Sequence, residues 1–191
     1  MTHLVCDSYI EKSLKEGKRI RRACSDGTIE VVVMTEETPI PKQETQFWAE
    51  SNNKVKLQQL ARTVALRDMT DVIVSGVVNN ELKEPQIKEK DAEPRDVPEL
   101  SSWLEEADSR IIPHVNWSVE HGCQRMLVFS NDTDTICLLL HYLRIFQQKG
   151  LLEMWVEYGK PKRWIPIHKL KEKNQRRFIK KCNQGPYFDR M

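Results

Sequence analysis

The order of apolar runs in the second half of the chain constrains the fold most. Met126-Leu127-Val128-Phe129 is an unbroken apolar run, and Thr133 to Lys149 carries Ile136, Leu139, Leu140, Leu143 and Phe146 at three- and four-residue spacing. Leu152 to Tyr158 and Arg163 to Ile167 then read as strands joined by a Gly159-Lys160-Pro161 turn. A short, continuous apolar run suits a central strand covered on both faces. The three-and-four spacing turns one stripe of a helix toward a core, and Gly150 is placed to stop it. Strand, helix, strand, helix in this order predicts an α/β fold, a three-layer α/β/α sandwich on a mostly parallel central sheet. The last two strands are expected to pair antiparallel at an edge. In folds of this class ligands gather beyond the carboxyl ends of the strands.

Earlier segments fit the same plan. Leu4-Val5-Cys6 is a short strand candidate ending at Asp7, and Ser8 to Arg22 reads as a basic helix. Asn52 is placed to cap a helix running to about Leu66, and Val72-Ile73-Val74 reads as a buried strand. Asn79 to Pro98, with Pro85, Pro94 and Pro98, reads as a loop with at most a short exposed strand. Leu104, Ala107, Ile111, Val115 and Val119 make one helical face, interrupted by Pro113. A proline there removes the bond to the Ser109 carbonyl, at a cost of about 3 kcal/mol if nothing compensates. Gly122 reads as the residue that ends this helix. A basic helix from about His168 to Lys181 closes the chain. A length of 191 residues suits one domain, expected over residues 1–170, with 171–191 as a basic tail.

Net charge is only +2, so the distribution of charge says more than the total. Ten acids and four bases lie between Glu81 and Asp108, whereas ten bases and one acid, Glu172, lie between Lys160 and Lys181. Lys12, Lys15, Lys18, Arg19, Arg21 and Arg22 form a second basic cluster. Such clusters are either solvated helix faces or the borders of a site that handles a phosphate backbone. No apolar run approaches the roughly 20 residues of a membrane span, and Met1 to Ile10 lacks a signal-peptide core. The five cysteines are odd in number and none is in C-x-x-C spacing, which speaks against a disulfide framework or a zinc site. Cys6, Cys123 and Cys137, among apolar neighbours, read as buried thiols. An intracellular setting, nucleus or cytoplasm, and no membrane partner are expected.

Two acidic motifs stand where chemistry is expected. Leu104-Glu105-Glu106-Ala107-Asp108 opens one helix, and Ser130-Asn131-Asp132-Thr133-Asp134 leads from the apolar strand into the next. Carboxylates brought together repel and need a cation or hydrogen-bond donors to stay ionised. Hard oxygen ligands of this kind suit Mg²⁺ or Mn²⁺, which can activate water for phosphodiester cleavage. The plainer reading is structural: Asp132 suits an N-cap, Asp134 favours the helix dipole, and the first motif does the same for its helix. Glu106 and Asp108, two residues apart, share a direction only in a distorted first turn.

Glu106-Ala107-Asp108 and Asp132-Thr133-Asp134, with a helix and an apolar strand between them, resemble the paired acidic motifs of the flap-endonuclease/XPG group of PIN-like nucleases. The segments with Glu105 to Ile112, Ser130 to His141 and Tyr158 to His168 also look like PIN-like reading frames abundant in animal genomes, some of them carried by mobile elements. The resemblance spans about Leu4 to Leu170. It implies that Glu106, Asp108, Asp132 and Asp134 are metal ligands and catalytic residues, with Asp7 a further ligand. It also implies phosphate contacts at Lys15, Lys18, Arg19 and Arg22. The family's first-strand acid and its late Gly-x-Asp motif have no counterpart here apart from Asp189 in an unmatched tail, and the duplex-gripping helix-hairpin-helix is absent. The chain therefore resembles the middle of a nuclease domain without its flanks.

The expected function is a PIN-like, flap-endonuclease-related domain that binds Mg²⁺ or Mn²⁺ and nucleic acid, DNA before RNA. It hydrolyses phosphodiesters if the site is intact. The alternative is a degenerate, non-catalytic module that binds nucleic acid or protein. A phosphatase ranks below both, since neither a first-strand Asp-x-Asp motif nor a nucleophile elbow is present. Trp103, Trp117, Trp155 and Trp164 are read as core or margin residues in preference to base-stacking platforms. The scattered histidines are read as structural or surface groups.

Overall fold

The computed structural model of the chain describes residues 1–7, 31, 33–39, 41–42, 44–78, 81–159 and 161–170. The expected helix over Ser8–Arg22, with Lys15, Lys18, Arg19 and Arg22, lies outside them, as does the basic segment 171–191. The architecture is mixed α/β, with two mixed sheets. The chain divides into two compact units, Met1–Ala107 and Asp108–Met191. No helix among the described residues is long and apolar enough to cross a membrane.

In the first unit β1 (Thr2–Leu4) lies parallel to β2 (Val72–Val78). Antiparallel to β2 runs β3 (Glu81–Lys88), followed by the short β4 (Arg95–Asp96). Helix α1 (Glu44–Ala49) precedes α2 (Ser51–Asp68), which packs on β2 around Ala65, Val72 and Val74. Helix α2 begins one residue before the expected cap Asn52, and the Glu50 side chain caps it instead by accepting the Asn52 N–H.

Within the stretch Asn79–Pro98, predicted to be a loop, Glu81–Lys88 forms the full strand β3, and the reason lies at Pro85. Val74 faces Gln86 and Gly76 faces Lys83, so Glu84 and Pro85 together oppose Ser75. This bulge absorbs a residue that cannot donate to the ladder. The buried Arg62 secures it, donating to the Val74 carbonyl at 3.2 Å and the Glu84 carbonyl at 3.1 Å.

The second unit holds α3 (Ala107–Glu120, its first residue at the boundary), β5 (Arg125–Phe129), α4 (Thr133–Gln148), β6 (Glu153–Tyr158) and β7 (Arg163–Pro166). Pro113 lies inside α3. Past its end Gly122 takes φ +86°, the left-handed conformation expected of it. Strand β6 is central, parallel to β5 and antiparallel to β7, so the edge hairpin forms as expected. Ile136, Leu139, Leu143 and Phe146 of α4 close a core with Val128, Met154, Val156 and Ile167. Lys149 donates to Asn116 and Glu120 and ties the ends of α3 and α4.

Two expectations need correction. A single, mostly parallel sheet does not form among the described residues. Only β1–β2 and β5–β6 are parallel pairs, because β2–β3 and β6–β7 are hairpins whose short connections allow only antiparallel pairing. The apolar run Met126–Phe129 is also not covered on both faces. It is an edge strand in which Val128 is buried while Leu127 and Phe129 are 60% and 67% exposed. Cys6, Cys123 and Cys137 are half-buried thiols, not fully enclosed.

Candidate metal centre

The site is built where β5 gives way to α4. Phe129 ends the strand, and Ser130, Asn131 and Asp132 lead into the helix. Asp132 is extended, φ −98° and ψ 132°, and its side chain accepts the Asp134 N–H at 2.9 Å as the N-cap of α4. An amide that the helix itself leaves unpaired is thereby satisfied. Ser130 Oγ accepts the Asp132 N–H at 3.1 Å and donates to Oγ1 of the buried Thr135 at 3.0 Å. The turn that carries both aspartates is thus fixed to the core of its own unit. Asp134 follows in the first turn, where the helix dipole favours an anion.

Asp108, half-buried near the start of α3, completes a cluster with the exposed Asp132 and Asp134. One carboxylate oxygen from each of the three lies within 4.8 Å of the other two. Like charges at that separation repel by about 1 kcal/mol per pair in bulk water and more where solvent is excluded. Oxygens around one Mg²⁺ at about 2.1 Å stand at most about 4.2 Å apart. The three oxygens are close enough for one cation to reach, as groups of exposed acids also are without one. Three carboxylates are hard-ion chemistry, but they do not select Mg²⁺ over Mn²⁺.

Of the four expected ligands, Asp108, Asp132 and Asp134 lie together in the second unit. Glu106 precedes α3, is exposed, and falls with Asp7 in the first unit. Asp7 has a defined local task. Its Oδ1 accepts the Ala107 N–H at 2.8 Å, the first amide of α3, from a residue 100 positions earlier.

The sequence reading missed Arg110 and His114. Both are buried on α3, 1% and 2% exposed, alongside Val115 and Val119, while the expected core residue Ile111 is only half-buried. Ser118 continues the row at the same four-residue spacing and donates to the His114 carbonyl. A polar row in phase with an apolar stripe was the available signal. Counting apolar positions alone passes over it, because Arg and His score as surface residues.

Comparison of the chain with protein-family models, with curated proteins and with solved structures finds no match.

Proposed function

We propose that the chain is a PIN-like, flap-endonuclease-related α/β/α domain that binds a divalent cation, Mg²⁺ or Mn²⁺, and acts on nucleic acid, DNA before RNA. The observation that carries the reading is the approach of Asp108, Asp132 and Asp134, from two separate stretches, to within 4.8 Å at the end of a strand. Asp108, Asp134 and the free oxygen of Asp132 would hold the ion, with Glu106 and Asp7 the further ligands the family resemblance suggests. A cation bound there would supply charge to stabilise a phosphodiester and acidify a water. Ser130 and Thr135 keep the Asp132 turn in place, and Lys15, Lys18, Arg19 and Arg22 are proposed to contact phosphates.

The test is cleavage of single-stranded and flapped DNA by the purified chain with Mn²⁺. Activity should vanish in the Asp132→Ala/Asp134→Ala double variant. Cleavage that survives the double substitution sinks the assignment.

A second reading is favoured by one specific observation. Asp132 and Asp7 each already place an oxygen on a backbone amide, so capping alone accounts for two of the acids. On that reading the domain is a non-catalytic binding module, and Mn²⁺ leaves its melting temperature unchanged.

A further inference from the structure

An edge strand offers a row of unpaired amides and carbonyls, and proteins blunt such edges with short length, proline, charge or bulges. Among the described residues β1, β4, β5 and β7 stand at sheet edges. β1 and β4 are three and two residues long. β7 spans four residues and ends in Pro166. β5 is five residues long, has no proline and no bulge, and carries a single charge at its start, Arg125. It is the least protected edge of the four.

Hydrogen bonds fix which groups of β5 face outward. The Gln124 carbonyl accepts from Leu152 and Glu153, and the Ser130 N–H donates to the Glu157 carbonyl, so both residues turn toward β6. Backbone direction alternates along a strand. Met126 and Val128 therefore turn toward β6 as well, and Arg125, Leu127 and Phe129 turn their amides and carbonyls outward. No strand among the described residues pairs with them. The Cys123 thiol reaches the Arg125 carbonyl at 3.2 Å, which leaves that oxygen a second lone pair. Side chains on this edge are open too: Leu127 and Phe129 are 60% and 67% exposed.

The sequence of the edge identifies its occupant. Set antiparallel against itself about a two-fold axis at Leu127, the strand places Leu127 opposite its own counterpart, Met126 opposite Val128, and Arg125 opposite Phe129. The outward-turned residues then meet one another, so each outward amide faces an outward carbonyl. Apolar side chains meet apolar ones. Arg125, whose charge Glu153 balances at 3.6 Å, meets an aromatic ring instead of a like charge. A parallel partner in register would set Arg125 against Arg125.

We propose that two copies of the chain associate through antiparallel β5–β5 pairing about Leu127, which joins two three-stranded sheets into one continuous sheet. A two-fold contact closes on itself, so the product is a dimer and not a fibre. Five residues a side bury less than the roughly 1,200 Å² of a standard interface, so the dimer is reversible and depends on concentration. Each β5 leads into its own Asp132 and Asp134, and the antiparallel register puts the two acidic clusters at opposite ends of the joint. The pairing rests neither on cation binding nor on the nuclease reading.

The test is sedimentation velocity of the full chain across increasing concentration, with folding followed by circular dichroism. The native chain should move from the mass of one copy toward that of two, and no further. Leu127→Lys and Leu127→Glu each set like charges face to face at the axis and should stay monomeric. An equal mixture of the two should dimerise again, because opposite charges then meet. Leu127→Pro removes an outward amide and none of the bonds to β6, and should also stay monomeric. Trp164→Ala, on the same sheet but at its far edge, should dimerise as the native chain does. A native chain that is monomeric at every concentration overturns the proposal, as do Leu127 variants that dimerise like it. A mixture of folded Leu127→Lys and Leu127→Glu chains that fails to dimerise overturns it too. Loss of the dimer in folded Trp164→Ala would move the contact to the open sheet face and overturn the edge pairing.

Discussion

Asp132 combines two roles that substitution can separate. Its carboxylate accepts an amide of α4 and carries a charge into the acidic cluster. Asparagine keeps the acceptor and loses the charge. Asp132→Asn should therefore leave stability in urea nearly unchanged, whereas Asp132→Ala should lose about 1 kcal/mol of it; both should lose cation affinity. His3 gives a residue-scale pH dependence. Burial, helped by the nearby positive N-terminus, lowers its pKa from 6.5 to about 4. The folded chain then binds fewer protons than the unfolded one between those values. Its contribution is fully present above pH 6.5 and is lost as pH falls toward 4, on the order of 3 kcal/mol in all. His3→Gln should flatten urea midpoints across that window. Asp108, Asp132 and Asp134 were legible as a candidate site because each follows a boundary that local pattern reveals. The Asp7–Ala107 bond was not, since no local pattern links residues 100 positions apart.

Individual helices and strands were legible where periodicity was strong, and misread where one residue overrode it. Helix α4 and the β6–β7 hairpin form where spacing and a glycine turn place them. Pro85 suggested a loop, yet a bulge and the Arg62 guanidinium turn that stretch into β3. Arg62→Met keeps much of the packing volume but leaves two carbonyls without their donor. It should lower stability by about 2–4 kcal/mol in denaturant unfolding. Pro113 sits inside α3 as expected, and Pro113→Ala restores a helical amide. It should raise stability, by about 1–3 kcal/mol, read as a higher urea midpoint with unchanged slope. The facing of β5 was misjudged for a different reason. Four apolar residues in a row fit a doubly covered strand, and they fit equally a half-covered strand whose open face is itself apolar.

Across the whole molecule, the α/β class followed from the order of strand and helix patterns, and the pairing did not. Strand order within a sheet depends on contacts between distant segments, such as Thr2 with Val72, that leave no periodic trace in either segment. The division near Ala107 falls where the acidic stretch Glu81–Asp108 ends, but a shift of surface charge alone does not announce a boundary between compact units. The acidic middle and basic flanks read as charge alone until the fold gave some of them positions. Asp108, at the end of the acidic middle, is gathered into one cluster with Asp132 and Asp134, whereas Lys162 of the basic flank is matched by Glu157. Ion binding to that cluster is what the functional account requires, and a cation at about 100 times its dissociation constant stabilises a fold by roughly 2.7 kcal/mol. Calorimetric titration of the chain with Mn²⁺ measures it directly. The account predicts saturable binding in the native chain and none in the Asp108→Asn/Asp132→Asn/Asp134→Asn variant. Native and variant chains that titrate alike, or a native chain that takes up no ion, would contradict it.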